Sequence, residues 1–296
     1  ASPHTHHTFT KALRVAGLKE CIVREVALDQ GLRIDPAALR ERIEHDRKEG
    51  LNPWLVAASA GTTDSGSVDP LDAIADIGTE LDVWMHVDAA NGGAFAICEE
   101  GRRRVRGIER SDSLVLDPHK GFFIPCGLGV VLVREGHKLY DAYHARGTYM
   151  QDVAADPERS PCDYSAELTR PSRALRLWLP LKMHGTAAFA AALEEKLLLA
   201  RYFYDEVQKI PGIEVGPAPD LSVVTFRFVP EEGDADTVNR TLVEAISADG
   251  RVFLASTRID GKFVIRMAIL TYHSHLEDVD LALQVIRELI ETVSSR

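Results

Sequence analysis

Short apolar runs alternate with amphipathic segments through the first two-thirds of the chain. Runs rich in β-branched residues predict buried strands, and segments with helical spacing predict helices. Because strands and helices alternate at this spacing, we expect right-handed crossovers and a mostly parallel sheet covered by helices. The predicted strands are 21–28, 54–60, 83–88, 113–117 and 129–134, and the predicted helices are 4–16, 36–48 and 70–81.

The last third of the chain follows a different pattern. A polar stretch without periodicity, 143–168, precedes it, and a stretch of that length inside a compact domain is usually functional or mobile. We therefore predict an α/β large domain at 1–187 and a smaller α+β domain at 188–296. The later elements are predicted as helices at 170–210, 235–248 and 276–294 and strands at 221–228, 251–257 and 262–269.

Composition narrows the class of protein. With 34 Lys+Arg against 45 Asp+Glu, the net charge is −11, which repels phosphate backbones and argues against a nucleic-acid partner. No apolar run approaches the roughly 20 residues of a membrane span. The four cysteines lie far apart without a CxxC pair, which argues against a zinc or disulfide framework and favours the cytoplasm.

Polar motifs end three of the predicted strands: GTT at 61–63, HVDAA at 86–90 and DPHK at 117–120. Ligands of parallel sheets collect at the carboxyl ends of strands. Alone, Asp88 is better explained as a cap or a core ion pair, and Lys120 as a surface lysine. Together they suit an aldehyde-bearing pyridine cofactor, because the amine attacks the carbonyl and the carboxylate keeps the ring nitrogen protonated.

These motifs, with HTHHT, AGTTDSGSVDP and RALRLWLPLKMHG, make the chain resemble the group II pyridoxal-phosphate-dependent decarboxylases, the family of aromatic-L-amino-acid and glutamate decarboxylases. The resemblance covers nearly the whole chain. HVDAA combined with DPHK is its specific part, since either motif alone is weak. It implies an aspartate-aminotransferase-type (fold type I) large domain, pyridoxal 5′-phosphate as cofactor, and a homodimer with the active site at the interface.

The resemblance also implies roles for individual residues. Lys120 resembles the lysine that forms the Schiff base with the cofactor. Asp88 resembles the partner of the pyridinium nitrogen, Ala90 the small residue under the ring, and His6 the histidine that stacks on it. The site is expected to hold no metal, since no complementary Cys or carboxylate spacing follows the histidine-rich segment.

Further positions are carried over less directly. Thr62 or Thr63 resembles the threonine near the cofactor's ring hydroxyl, and His119 the histidine beside the phosphate. Asp117 stands where many members have an Asn that contacts the phosphate. A carboxylate there would be repelled by the phosphate unless it were protonated or turned away, so we do not count Asp117 as a ligand.

Two residues are expected to act on the substrate. Tyr149 lies in the segment that resembles the family's catalytic loop, where a tyrosine protonates the carbon that has lost carbon dioxide. Arg173 resembles a helix arginine near the active site, and helical spacing alone leaves Arg170 and Arg176 as alternatives.

The predicted reaction is decarboxylation of an L-amino acid, with aromatic amino acids as the expected substrates. The alternatives are another reaction of the same cofactor, such as transamination, carbon–carbon cleavage or amine oxidation to an aldehyde, or a catalytically incompetent fragment used for assembly. No Gly/Ser/Thr-rich segment suited to cradle a phosphate precedes His4. We therefore expect a piece of a longer protein that alone binds the cofactor weakly.

Overall fold

A computed structural model describes residues 1–145 and 160–294 of the chain. In this part the strands form two four-stranded sheets, each with its own apolar core. The first sheet belongs to the N-terminal part of the chain and the second to the C-terminal part. The predicted catalytic carboxylate Asp88 is the last residue of a strand of the first sheet, and Lys120 follows another strand of that sheet.

The first sheet is mostly parallel, as predicted. Its strands β1 (Leu55–Ser59), β2 (Trp84–Asp88) and β3 (Ser113–Leu116) run parallel, and β4 (Val130–Val133) pairs antiparallel with β3. The apolar side chains of β1 and β2 are mostly buried in the first core, whereas Val131 and Leu132 of β4 are about half exposed. Antiparallel β4 closes one side without a crossover helix.

The helices of this part agree with the predicted pattern where the sequence carries clear signals. Asp35 caps a helix with Pro36 at its first position, and the side chain accepts N–H bonds from the next turn. The helices are α1 (Thr8–Val15), α2 (Pro36–Lys48), α3 (Leu71–Glu80), α4 (Glu99–Arg104), α5 (Pro118–Gly121) and α6 (Gly136–Tyr143), with short 3₁₀ turns at Gly93–Ile97, Ile108–Arg110 and Pro161–Tyr164.

The predicted strand at 21–28 is wrong. That segment forms a single bridge between Leu28 and Ile34, and no strand lies alongside the rest of it in the described residues. Ile22 and Val23 are exposed, so the apolar run does not pack as a buried strand. Apolar composition gives the tendency to extend, but a strand forms only where a neighbour accepts its backbone hydrogen bonds.

The second sheet is antiparallel in the order β5 (Ile213–Val215), β6 (Val223–Phe228), β8 (Lys262–Ala268), β7 (Ala255–Ile259). Helix α8 (Ala235–Asp249) lies against β6 and β8, and α9 (Leu276–Ser294) packs on α8. The sequence did not reveal β5, because three residues are too few to show alternation. The other elements overlap the predicted ones, but β7 begins at Ala255, four residues later than the predicted strand at 251–257.

Helix α7 (Leu175–Val207) runs through the predicted domain boundary. Its one break in helical geometry is Gly185, where φ is 71°. Leu193 and Leu197 pack in the first core, whereas Leu199 begins the second. The division into 1–187 and 188–296 stays a prediction. Among the described helices, none is both long enough and apolar enough to cross a membrane.

Asp69 ties the loop after β1 to the segment before α2. Its carboxylate is 2 % exposed and accepts N–H bonds from Ser59 at 2.7 Å and Ile34 at 2.8 Å. Burial raises the pKa of Asp69 to about 6, and the two N–H bonds oppose that rise only in part. The Asp69 carboxyl group therefore holds its proton more tightly in the folded protein than in the unfolded chain.

We expect Asp69→Asn to destabilise the fold by about 1–3 kcal/mol, because one of the two buried N–H groups then faces an amide NH₂. The stability contributed by protonation of Asp69 is present at low pH and disappears as pH rises through about 6. The loss should therefore be larger near pH 5 than near pH 7, by about 1 kcal/mol. Urea unfolding at both pH values measures it.

The matched control is Asp205→Asn, which removes an exposed carboxylate 3.6 Å from Arg201. Its effect should be small at both pH values. Equal losses for Asp69→Asn at the two pH values would contradict the raised pKa.

Candidate active site

Backbone hydrogen bonds hold the carboxyl ends of the three parallel strands together. Ala60 N–H donates to the Asp88 carbonyl at 2.8 Å, and Ala89 N–H donates to the Val115 carbonyl at 2.9 Å. Gly92 N–H then returns to the Ala60 carbonyl at 2.9 Å. The loops that leave β1, β2 and β3 are therefore fixed relative to one another.

A cavity of about 300 Å³ opens at this edge of the sheet, and we call it the strand-end cavity. It brings together residues from four separate parts of the sequence. Ligands of parallel sheets bind at this position. Of the predicted site residues, it is lined by His6, Thr62, Thr63, Asp88, Ala90 and Lys120.

Lys120 stands on the single helical turn α5, directly after β3. Pro118 begins this turn and is buried, as is Gly121. Phe123 follows with φ of 55°, and its N–H donates to the Lys120 carbonyl at 3.2 Å. The Phe123 and Tyr272 rings are in edge contact, with their centroids 5.8 Å apart, so a loop of the C-terminal part also supports this turn.

The close approach of α5 to Gly93–Ile97 requires glycine at position 121. A Cβ built on Gly121 would lie 2.4 Å from the Cβ of Ala94, which is far inside van der Waals contact. Both atoms belong to rigid backbone segments, so neither can yield without moving the turn. The Gly121 contact thus sets the depth at which α5 sits.

Asp88 ends β2, and its backbone is paired on both sides. Its Oδ1 accepts the N–H of Ala90 at 3.1 Å, which holds the carboxylate at the start of the following turn. His86, two residues earlier, bonds through Nδ1 to Ser113 Oγ at 2.8 Å. Burial lowers the pKa of His86, and the nearby Asp88 charge opposes that shift.

Two histidines of the N-terminal segment line the cavity, where one was expected. His6 Nδ1 lies 2.6 Å from Thr8 Oγ1, and its ring centroid lies 4.2 Å from that of His7. His4 also lines the cavity, although no role was assigned to it from the sequence. The segment from His4 to His6 is a turn before α1, which allows residues two apart to face one side.

His4 is in contact with a carboxylate that the sequence did not single out. Its Nδ1 lies 3.5 Å from Asp64 Oδ2, and Thr257 of β7 donates a hydrogen bond to Asp64 Oδ1. The His4 contact, with help from Thr257, holds the pKa of Asp64 below its usual range despite partial burial. Asp64 therefore joins the cavity wall to the second sheet.

The two candidate threonines differ in their surroundings. Thr62 Oγ1 lies 2.8 Å from Ser65 Oγ, which lies 2.7 Å from Ser67 Oγ, and Ser67 donates to the Gly31 carbonyl at 2.9 Å. A hydroxyl has one proton to donate, and Ser67 donates its proton to the Gly31 carbonyl. Ser65 must therefore donate to Ser67, and Thr62 must donate to Ser65. Thr63 is exposed and also lines the cavity.

His119 and Arg173 do not line the cavity. His119 Nε2 lies 3.9 Å from Asp117 Oδ2, and its Nδ1 lies 3.5 Å from the Leu128 carbonyl. Arg173 pairs with Glu167 at 2.6 Å. Tyr149 lies outside the described residues. Within the described ranges, no group of three or more His, Cys, Asp or Glu side chains is arranged to hold a metal ion.

Comparison with known protein families identifies the class. The family described as "Pyridoxal-dependent decarboxylase conserved domain" matches residues 1–229. The chain belongs to this family. The resemblance inferred from the motifs and the fold class inferred from the pattern are thereby confirmed.

Individual relatives are longer than this chain. An aromatic-L-amino-acid decarboxylase of Bacillus atrophaeus is 35 % identical over 299 residues, covering 99 % of this chain and 62 % of the relative. Tyrosine decarboxylase 2 of Arabidopsis thaliana is 33 % identical over 297 residues, covering 97 % and 54 %. The chain thus spans little more than half the length of these relatives.

Two solved structures agree with this chain over nearly its whole length. Catharanthus roseus tryptophan decarboxylase in complex with L-tryptophan has a TM-score of 0.88 at 27 % identity, covering 99 % of this chain and 62 % of that one. Oryza sativa TDC with PLP and tryptamine has a TM-score of 0.91 at 30 % identity, covering 98 % and 62 %.

We expect Gly121→Ala to lower the free energy of unfolding by about 1–3 kcal/mol, because the new methyl group overpacks the contact with Ala94. Urea unfolding measures the loss. Gly136→Ala is the matched control, since a Cβ there meets nothing within 4 Å, and it should leave stability unchanged or slightly raise it. Similar losses in both variants would show that the α5 contact is not tight.

Proposed function

We propose that the protein to which this chain belongs decarboxylates an aromatic L-amino acid to its amine and carbon dioxide with pyridoxal 5′-phosphate. The observation that carries the proposal is that Lys120 and Asp88 line one cavity at the carboxyl ends of parallel strands. The relatives support the substrate class, since their names specify aromatic L-amino acids, tyrosine and tryptophan.

The residues of the strand-end cavity fit this cofactor. The cavity offers an amine to an aldehyde, a carboxylate to a protonated pyridine nitrogen, and the small side chain of Ala90 where a flat ring needs room. When bound, pyridoxal 5′-phosphate supplies an electron sink for the pair of electrons left by carbon dioxide. His6 and Thr63 are the residues proposed to hold the ring and its hydroxyl.

The chain's own groups have separate tasks in this proposal. The Lys120 amine would hold the cofactor through its aldehyde and would yield that position to the substrate amine. Asp88 would keep a proton on the ring nitrogen, and the Ala90 N–H that donates to its Oδ1 holds the carboxylate in place. Tyr149 delivers a proton to the substrate carbon that has lost its carboxylate, and His119 and Arg173 remain proposed neighbours of the phosphate and the substrate.

We expect carboxyl-labelled L-tryptophan or L-tyrosine to release labelled carbon dioxide faster than L-glutamate does. Lys120→Arg should abolish release, because arginine does not provide a neutral amine. Asp88→Asn should lower the rate by about 10²-fold or more, since a fixed charge opposite the developing charge is lost. Scintillation counting and amine analysis measure both.

Lys138→Arg is the matched control for the lysine, as Lys138 lies on α6 and pairs with Glu135 at 2.7 Å. It should retain the wild-type rate. Formation of a keto acid would point to transamination, and formation of aldehyde with hydrogen peroxide would point to amine oxidation. Either result as the main product would contradict decarboxylation to the amine.

We further propose a homodimer, supported by an exposed apolar stripe on the first half of α7. Leu175, Trp178, Leu179 and Met183 are each at least half exposed, and their spacing places them on one helix face. Four large apolar side chains on one exposed face are typical of a surface that another protein covers. Tryptophan is enriched at the centres of such interfaces.

We expect Trp178→Glu to raise the dimer dissociation constant by more than tenfold, because a charge replaces an aromatic contact residue. Analytical ultracentrifugation over a concentration series measures it. Phe253→Glu is the control, since Phe253 is an exposed apolar residue away from the stripe and should leave the constant unchanged. A wild-type protein that stays monomeric at all concentrations would refute the dimer.

The proposed location is the cytoplasm. All four cysteines are free thiols, at Cys21, Cys98, Cys126 and Cys162. Thiols in this state are compatible with a reducing compartment.

A further inference from the structure

The Asp117 carboxylate is turned toward the catalytic lysine. Asp117 occupies the N-cap position of α5, where an aspartate usually accepts a backbone N–H of the next turn. Here its side chain accepts none of those bonds. Its Oδ2 lies 3.2 Å from Lys120 Nζ and 3.9 Å from His119 Nε2.

Both members of this pair line the strand-end cavity. The Lys120 and Asp117 side chains are each about one-third exposed, so the pair is neither dry nor fully screened by water. In the part of the chain that the structure describes, Asp117 is the group that forms an ion pair with Lys120. Asp88, His4 and His6 line the same cavity.

The charge state of the amine decides whether it can react. The neutral amine has the lone pair that attacks a carbonyl, whereas the ammonium has none. A carboxylate at 3.2 Å attracts the ammonium more strongly than the neutral amine, which offers it only a weaker hydrogen bond. The Asp117 contact therefore holds the Lys120 ammonium in an ion pair when no ligand is bound.

We propose that Asp117 is a positioning residue that holds Lys120 as an ion-paired ammonium and so restrains its attack on the cofactor aldehyde. This effect does not depend on the cofactor's phosphate. The inference rests on the proposed function of Lys120. In the covalent step, the ammonium first gives one proton to solvent. The nitrogen lone pair then bonds to the aldehyde carbon, and the aldehyde oxygen leaves as water. The two hydrogens of this water balance the two hydrogens that the neutral amine loses.

The first test measures the reactivity of Lys120 without any cofactor. Trace acetic anhydride at one fixed neutral pH acetylates neutral amines, and peptide mass spectrometry gives the rate at Lys120 relative to Lys48, an exposed lysine of α2. Asp117→Asn should raise this ratio by about two- to fivefold, the range expected for a partly exposed ion pair. Asp117→Ser, which also removes the charge, should act in the same direction.

Glu135→Gln is the matched control. Glu135 and Lys138 have the same three-residue spacing and carboxylate–ammonium contact, at 2.7 Å, but lie outside the cavity. This variant should raise acetylation of Lys138 and leave Lys120 unchanged. An unchanged or lower Lys120 ratio in both Asp117 variants would overturn the proposal.

The second test compares pyridoxal with pyridoxal 5′-phosphate, each trapped on Lys120 by borohydride and located by mass spectrometry. Asp117→Asn should increase the trapping rate by the same factor with both aldehydes. An increase with pyridoxal 5′-phosphate alone would mean that Asp117 acts on the phosphate, which overturns the proposal. If wild-type Lys120 reacts with neither aldehyde while its acetylation still depends on Asp117, the proposed function fails and the ion-pair inference stands.

Discussion

The site depends on the register of three parallel strands. Because β2 lies between β1 and β3, the backbone of Asp88 is paired with Ser59 on one side and Val115 on the other. A shift of β2 by one residue would turn its carboxylate to the opposite face of the sheet. The strand register therefore determines that Asp88 lies beside the turn that carries Lys120, and no side-chain contact is needed to place it there.

The same sheet explains how far the fold could be predicted. Strands β1, β2 and β3 are short apolar runs separated by helical segments, so their order along the chain already implied parallel pairing. The segment at 21–28 has a similar composition, but in the described residues it pairs only through the bridge between Leu28 and Ile34, because pairing depends on what the rest of the fold places alongside it. In β5, Glu214 leaves only two apolar residues, too few for any period to appear.

The site was predictable where backbone topology alone positions a residue, as for Asp88, Ala90 and Lys120 in the strand-end cavity. It was not predictable where a side chain chooses between partners. Asp117 could have capped α5 and instead contacts Lys120, and His4 meets a carboxylate sixty residues away. Such choices depend on the depth and angle of turns, which no local pattern in the sequence records.

Helix α7 contributes to both cores within a single turn. Leu197 packs in the first core and Leu199 in the second. The backbone hydrogen bonds of one helical turn therefore position side chains of both cores. Local opening of this turn would expose apolar surface in two places, which makes such opening costly. Slow amide exchange should therefore extend without interruption from one core to the other, and the two halves of the protein should lose their protection together as one cooperative unit.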